Sequence, residues 1–319
     1  MRRLLALAGV AALVLGIGTA AHAQINDDPT TSGTTGLFMV PRASTVEQGT
    51  WMLGATYSQF AREEANTTIR TLGFAGAYGL TDRLEAFVSF DPSVKIKRRY
   101  TAELALFGIY GNNLCCTGIN DHPFASNRVL EGVFSPGEFS GVGNLNVGVK
   151  YNFMGDPYEY DGMALMGWIQ TPTSDAGNGI GTGTFGLGGK LVGSLEAWEA
   201  VGWNAYVGYQ WWDTAQPADK LPFDPQIQQP WFVSPEFLYG VGFQFPTRAT
   251  IQVVGEWMGN VTTRDVTGAW TGGDDLSFIQ WGLRATFDSG LAFTAAANYN
   301  FNQRVRGRDL QPNPAAVED

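Results

Sequence analysis

The residues of this chain with chemical potential are few, and their spacing argues against most chemistry. Of the two histidines, His22 lies in a leader-like head, so His122 is the one candidate general base. It falls in a long connection and not on a strand that would hold a serine and an acid in register, so a Ser–His lipid hydrolase or acyl transferase is not expected. Gly181-Thr182-Gly183-Thr184-Phe185-Gly186 matches G-x-G-x-x-G. A dinucleotide site needs a helix after it, but the next residues are strand-like, so it reads as a loop entering a Gly-rich strand. Cys115 and Cys116 are adjacent, too close to staple distant elements; they are either a strained vicinal disulfide or two thiols. Asp265, Asp274 and Asp275 lack any calcium-loop spacing and read as solvated charge. No catalytic residue, metal or cofactor is expected, and the chain is not expected to be an enzyme.

More informative are five ionisable residues embedded in alternating segments: Glu85, Lys150, Lys190, Glu256 and Arg284. Their meaning depends on the elements that carry them. From Gly143 to Phe153, Leu145, Val147, Val149, Tyr151 and Phe153 fall on one face, and Asn144, Asn146, Gly148, Lys150 and Asn152 on the other. Val201 to Trp211 repeats this, as do Ile251–Trp257, Ile279–Phe287 and Leu291–Phe301. A period of two is the signature of an amphipathic strand. No apolar run after Gln24 is long enough for a membrane helix, although the sequence carries 10 Trp, 20 Phe and 11 Tyr.

A soluble β-sandwich also alternates. Three features favour lipid on the apolar side: strands of about ten residues suit a tilted bilayer crossing; aromatics such as Trp51, Tyr78, Trp198 and Phe287 cluster at strand ends; and the opposite face is rich in Gly, Asn, Gln and Thr. Connections alternate between short turns (Gly79–Asp82, Gly155–Pro157, Leu195–Ala197, Pro246–Thr247, Asp288–Gly290) and long stretches, the longest spanning 91–140. The fold class expected is an all-β, antiparallel transmembrane β-barrel of about twelve strands. Eleven are counted from Trp51 onward, and Gly36 to Arg42 would supply the twelfth; that count starts and ends the barrel outside, so either the first segment threads the lumen or a hairpin within Asp91 to Ser140 is misplaced.

The ends add context. Arg2 and Arg3, the apolar run Leu4–Ile17 and Ala21-His22-Ala23 describe a cleaved signal peptide over 1–23. Residues 24–35 read as a flexible segment, 36–301 as the barrel and 302–319 as a polar tail. Losing Arg2 and Arg3 from 20 basic residues leaves 18 against 30 acidic, a balance that argues against nucleic acid as a partner. The expected partners are outer-membrane lipid, a small-molecule solute and the barrel-assembly machinery, which reads a terminal aromatic; Tyr299 and Phe301 have that spacing, although the tail comes after them. Nothing indicates oligomeric state.

Three segments carry a family resemblance: GLTDRLEAFVSF (79–90), GVGNLNVGVKYNF (141–153) and GTFGLGGKLVGSL (183–195). They resemble transporter-like barrels of bacterial outer membranes, in the group associated with phenol-degradation (MetA-type) pathways. The opening TTGLFMVPRASTVEQG (34–49) resembles the start of other outer-membrane barrels. The resemblance implies a barrel that passes small hydrophobic compounds, and implies no catalytic residue.

With apolar faces in lipid, Glu85, Lys150, Lys190, Glu256 and Arg284 become lumen-lining. They either line a wet pore or pair across a closed interior. Glycines 148, 186, 188, 202, 208, 240, 242 and 282 take little room and lean the reading towards an open lumen. The alternative function is a closed structural or adhesive barrel acting through its outer loops. Because basic inward residues outnumber acidic ones, an open pore should show weak anion preference. Reversal potentials under a potassium chloride gradient test this, and equal permeability of the two ions would refute it.

Overall fold

A computed structural model describes residues 28–62, 67–98, 137–174, 185–198, 200–213, 235–262, 277–287 and 289–300. The 1–23 leader, Cys115 and Cys116, His122, the acidic loop residues, most of the 91–140 connection and the 302–319 tail lie outside them.

Each alternating run becomes a strand. In chain order these are β1 (Asp28–Pro29), β2 (Thr35–Gly36), β3 (Trp51–Arg62), β4 (Thr67–Thr81), β5 (Leu84–Arg98), β6 (Gly137–Gly141), β7 (Leu145–Gly155), β8 (Gly162–Thr171), β9 (Gly186–Ala197), β10 (Val201–Trp212), β11 (Glu236–Phe245), β12 (Ile251–Thr262), β13 (Ser277–Thr286) and β14 (Ala292–Asn300). Strands β3 to β14 form one twelve-stranded antiparallel sheet in which sequence neighbours pair, except that β6 and β7 both pair with β5. The expected fold class and strand number hold.

The identity of the twelfth strand differs from the sequence reading. Gly36 to Arg42 is not in the large sheet; Thr35 and Gly36 pair with Pro29 and Asp28, and Gly36 bridges Pro41. The additional strand is β6, which lies end to end with β7 along β5: Val94–Arg98 of β5 pairs with β6, and Leu84–Phe90 with β7. The break falls where Gly143 N–H donates to Asp91 O at 2.7 Å, beside a register shift between Leu72 and Phe74. Such a bulge bends the sheet locally. The sheet therefore has eleven lanes. It begins at Trp51, on the short-turn side, and ends at Asn300 on the opposite side.

Burial decides between the soluble and the membrane reading. Large apolar residues are exposed, including Leu53, Leu195, Ile251 and Trp281 (63 % exposed), whereas Lys150, Asn152, Gln244 and Gln252 are fully buried. This is the inverse of a water-soluble fold and matches a barrel with lipid outside. Trp51 and Tyr78 stack with ring centroids 4.3 Å apart on the short-turn side, where an interfacial girdle sits.

The inward glycines serve a purpose other than keeping the lumen open. Three of them are cross-strand partners of a large inward aromatic that lies over them: Gly148 faces Phe87, Gly188 faces Trp168, and Gly240 faces Tyr206. A Cβ on these glycines would come within 2.1–2.4 Å of the opposing ring. They are seats for aromatics, the arrangement known as aromatic rescue. Gly193, on the outer face, has open space around it. Gly148→Val should therefore destabilise the folded barrel by about 1–3 kcal/mol, the usual cost of overpacking, while Gly193→Val stays within about 0.5 kcal/mol of the parent. Urea unfolding followed by heat-modifiable electrophoretic mobility reads both. Equal midpoints for the two variants would rule out the seating role.

Candidate functional site: the occupied interior

The segment from Asp28 to Gln48 lies against the inner face of the sheet. Its contacts run round most of the circumference. Pro29 packs at Gly54 of β3, Ala43 at Gly162 of β8, and Leu37 at Gly242 of β11. Leu37, Phe38, Val40 and Ala43 join the inward residues Ala164, Val192, Tyr206, Val254, Met258 and Phe278 in one apolar cluster. Its own pairing is limited to the short β1–β2 ladder and a few turn bonds, so at this depth its other backbone groups must find partners.

Inward side chains provide them. On β12, the Glu256 carboxylate accepts from Met39 N–H at 2.9 and 3.2 Å and from Val40 N–H at 2.8 Å. On β5, Glu85 accepts from Thr35 N–H (3.1 Å), Thr35 Oγ1 (3.0 Å) and Val46 N–H (3.0 Å). Lys150, the cross-strand neighbour of Glu85 on β7, lies 3.3 Å from its Oε2 and also donates to Thr35 Oγ1. On β13, Arg284 Nε meets Asp28 Oδ2 at 2.9 Å, and its Nη2 donates to Gly36 O at 3.0 Å. Four of the five sequence-derived charges thus act on the N-terminal segment.

Lys190 does not join them. Its ammonium sits 4.1 Å from the Tyr206 ring centroid and 5.4 Å from that of Trp168. Trp168 clusters with Phe87, Met166 and Val46, and Tyr206 with Leu37 and Phe38. Cation–π attraction offsets part of the cost of placing an ammonium there.

Several participants were not foreseen. Arg42 is buried and stacks on Tyr160 at 4.8 Å; burial pushes its guanidinium down to about 10, with Tyr160 opposing, so it stays charged at neutral pH. Burial raises the Asp28 carboxyl, and Arg284 holds it back. Ala43 N–H donates to Ser194 Oγ (2.9 Å), Ser194 donates to Asn204 Oδ1 (2.7 Å), and Asn204 Nδ2 donates to the Tyr160 hydroxyl (2.6 Å). The usable signal was Thr34–Thr45 itself, which lacks strand alternation despite its apolar Leu37, Phe38, Met39 and Val40.

The arrangement can hold a segment in place through side chains, with no sheet ladder to break on release. Removing a carboxylate leaves buried N–H groups unpaired, at about 1–3 kcal/mol each. Glu256→Ala should therefore raise the rate of tryptic cleavage after Arg42 by about tenfold or more in the folded protein, measured by mass spectrometry of the fragments. An unchanged rate would show that Glu256 does not secure the segment.

No protein-family model and no curated protein matches the chain. In fold it is similar to an outer membrane channel from Pseudomonas putida F1, solved by crystallography, with a TM-score of 0.55 over 82 % of this chain and 91 % of that one, at 10 % sequence identity.

Proposed function

We propose that the chain is a passive channel of a bacterial outer membrane, closed at rest by its own N-terminal segment and opened by displacement of that segment. The observation that carries this reading is the mode of attachment. Asp28–Val46 occupies the short-turn half of the interior through side-chain contacts to Glu85, Lys150, Glu256 and Arg284, and none of its residues belongs to the sheet that forms the wall. It can leave without opening the barrel. The likeness of fold to an outer membrane channel supports the same reading.

Small hydrophobic or aromatic compounds are the proposed solutes, passing Phe87, Trp168, Tyr206 and Lys190; a transport role in the phenol-degradation group belongs to this proposal. Lys190, held by rings instead of a carboxylate, favours solutes carrying a negative charge. Export through a signal peptide at 1–23, insertion by barrel-assembly machinery and a Gram-negative source complete it, with Glu85, Lys150, Lys190, Glu256 and Arg284 lining the lumen.

An occupied interior is also what a structural or adhesive barrel would have, so conductance is the deciding measurement. In planar bilayers the mature protein should show rare, brief openings. Deletion of residues 28–46 should give sustained steps, and Glu256→Ala combined with Arg284→Ala should raise open probability several-fold. Silence from all of these, in protein shown to be folded and inserted, would move the function to the outer loops.

A further inference from the structure

The outer wall carries its cations in one place. Among the described side chains, Arg42, Lys150, Lys190 and Arg284 face the interior, and Arg83 and Arg248 stand at short turns, where they bind Asn152 and Glu196. The remaining three, Arg70, Lys95 and Lys97, are exposed on the outer face of β4 and β5, at the ends away from the short turns. This in a chain of net charge −10 is a local reversal of sign.

Register places them together. Gln59, Arg70, Lys95 and Ser140 are successive cross-strand partners across β3, β4, β5 and β6. Arg70 and Lys95 are thus directly opposite one another, a placement that repels when both are cationic. The row itself contains no carboxylate; the nearest described one, Glu138, is paired with Lys97 one pleat away and also feels the charges of Arg70 and Lys95. Gln59 Oε1 accepts from Arg70 Nε at 3.0 Å. That leaves the terminal guanidinium nitrogens and the Lys95 ammonium without a hydrogen-bond partner among the described residues. One pleat further, Lys97 pairs with Glu138, and both side chains are more than half exposed. A pair so open to solvent is weak and exchangeable.

Height matters as much as charge. Arg70 is level with Gln59, eight residues along β3 from the girdle residue Trp51, or about 26 Å of strand at about 3.3 Å per residue. With a tilt of about 40°, that is roughly 20 Å above the girdle, close to the upper edge of an apolar band about 25 Å tall. Directly below the row, Tyr57 and Leu72 are cross-strand partners and exposed, and Phe74 and Leu53 continue the apolar column. The same strands thus offer a wall for acyl chains and, above it, cations for a headgroup.

We propose that Arg70, Lys95 and Lys97 form a binding site for the phosphate groups of a phosphorylated glycolipid of the outer leaflet, a lipid A-type molecule whose acyl chains lie along Tyr57, Leu72 and Phe74. Guanidinium suits a phosphate bidentately, and the flanking ammonium groups add charge. The bound phosphate relieves the repulsion between Arg70 and Lys95. The site rests on the outer-membrane reading and is independent of whether the interior opens.

The test uses the mature protein in phosphatidylcholine nanodiscs containing a small fraction of bisphosphorylated lipid A, with bound lipid counted by native mass spectrometry. The parent should retain lipid A. Arg70→Gln combined with Lys95→Gln should weaken retention about tenfold, while Arg70→Lys with Lys95→Arg and the short-turn control Arg83→Gln should not. Dephosphorylated lipid A should bind the parent as weakly as bisphosphorylated lipid A binds the neutralised variant, and millimolar inorganic phosphate should not displace the lipid. Equal retention by parent and neutralised variant, equal retention of dephosphorylated lipid, or displacement by inorganic phosphate would each overturn the site. Heat-modifiable mobility shows that every variant is folded. Failure of the parent to insert into bilayers at all would instead count against the outer-membrane reading.

Discussion

A barrel surrounded by lipid reverses the usual amphipathic arrangement. Its apolar side chains point outward, and the interior collects groups that need partners. Here the partner is mainly the chain's own N-terminal segment, and the contact on which the interior depends is the capture of that segment's backbone N–H groups by buried carboxylates. Glu256 takes Met39 and Val40, and Glu85 takes Thr35 and Val46. Each side would be costly alone: a buried carboxylate without donors, or a buried irregular backbone without acceptors. Together they satisfy one another. Lys150 and Arg284 complete the balance of charge through Glu85 and Asp28.

The same logic of mutual satisfaction governs the apolar part of the interior. Bulky inward residues and glycines alternate across neighbouring strands, so that Phe87, Trp168 and Tyr206 each lie flat over a residue with no side chain. The result is a set of rings facing the interior, with Lys190 held against two of them. The rings and the N-terminal segment pack into the same clusters, Phe87 and Trp168 with Val46 and Tyr206 with Leu37 and Phe38. The outer face of the wall is apolar, and its one concentration of positive charge among the described residues lies at the ends of β4 and β5 away from the short turns, beyond the apolar column of Leu53, Tyr57, Leu72 and Phe74.

Much of this was legible in the residues. Alternation with a period of two specified the strands and, through parity alone, which side chains share a face; that Glu85, Lys150, Lys190, Glu256 and Arg284 lie on one side follows from their positions relative to Val149, Leu191, Trp257 and Leu283. Strand length and the abundance of aromatics pointed to a membrane. These are local properties, carried by residues two apart, and local spacing survives whatever the rest of the chain does.

What the spacing could not supply is who meets whom across the interior. Met39 and Glu256 are 217 residues apart, and Gly36 and Arg284 are 248 apart; no periodicity links them, because the curvature of the whole sheet around the segment and not any one strand brings them together. The role of the inward glycines was hidden for a related reason. A glycine reads as empty space until the register places Phe87 or Trp168 opposite it, and register depends on how whole strands slide past one another. The extra strand at Gly137–Gly141 and the removal of Gly36–Arg42 from the wall were likewise settled by pairing. Side-chain direction is a property of one strand, but occupancy of a lumen belongs to all of them at once.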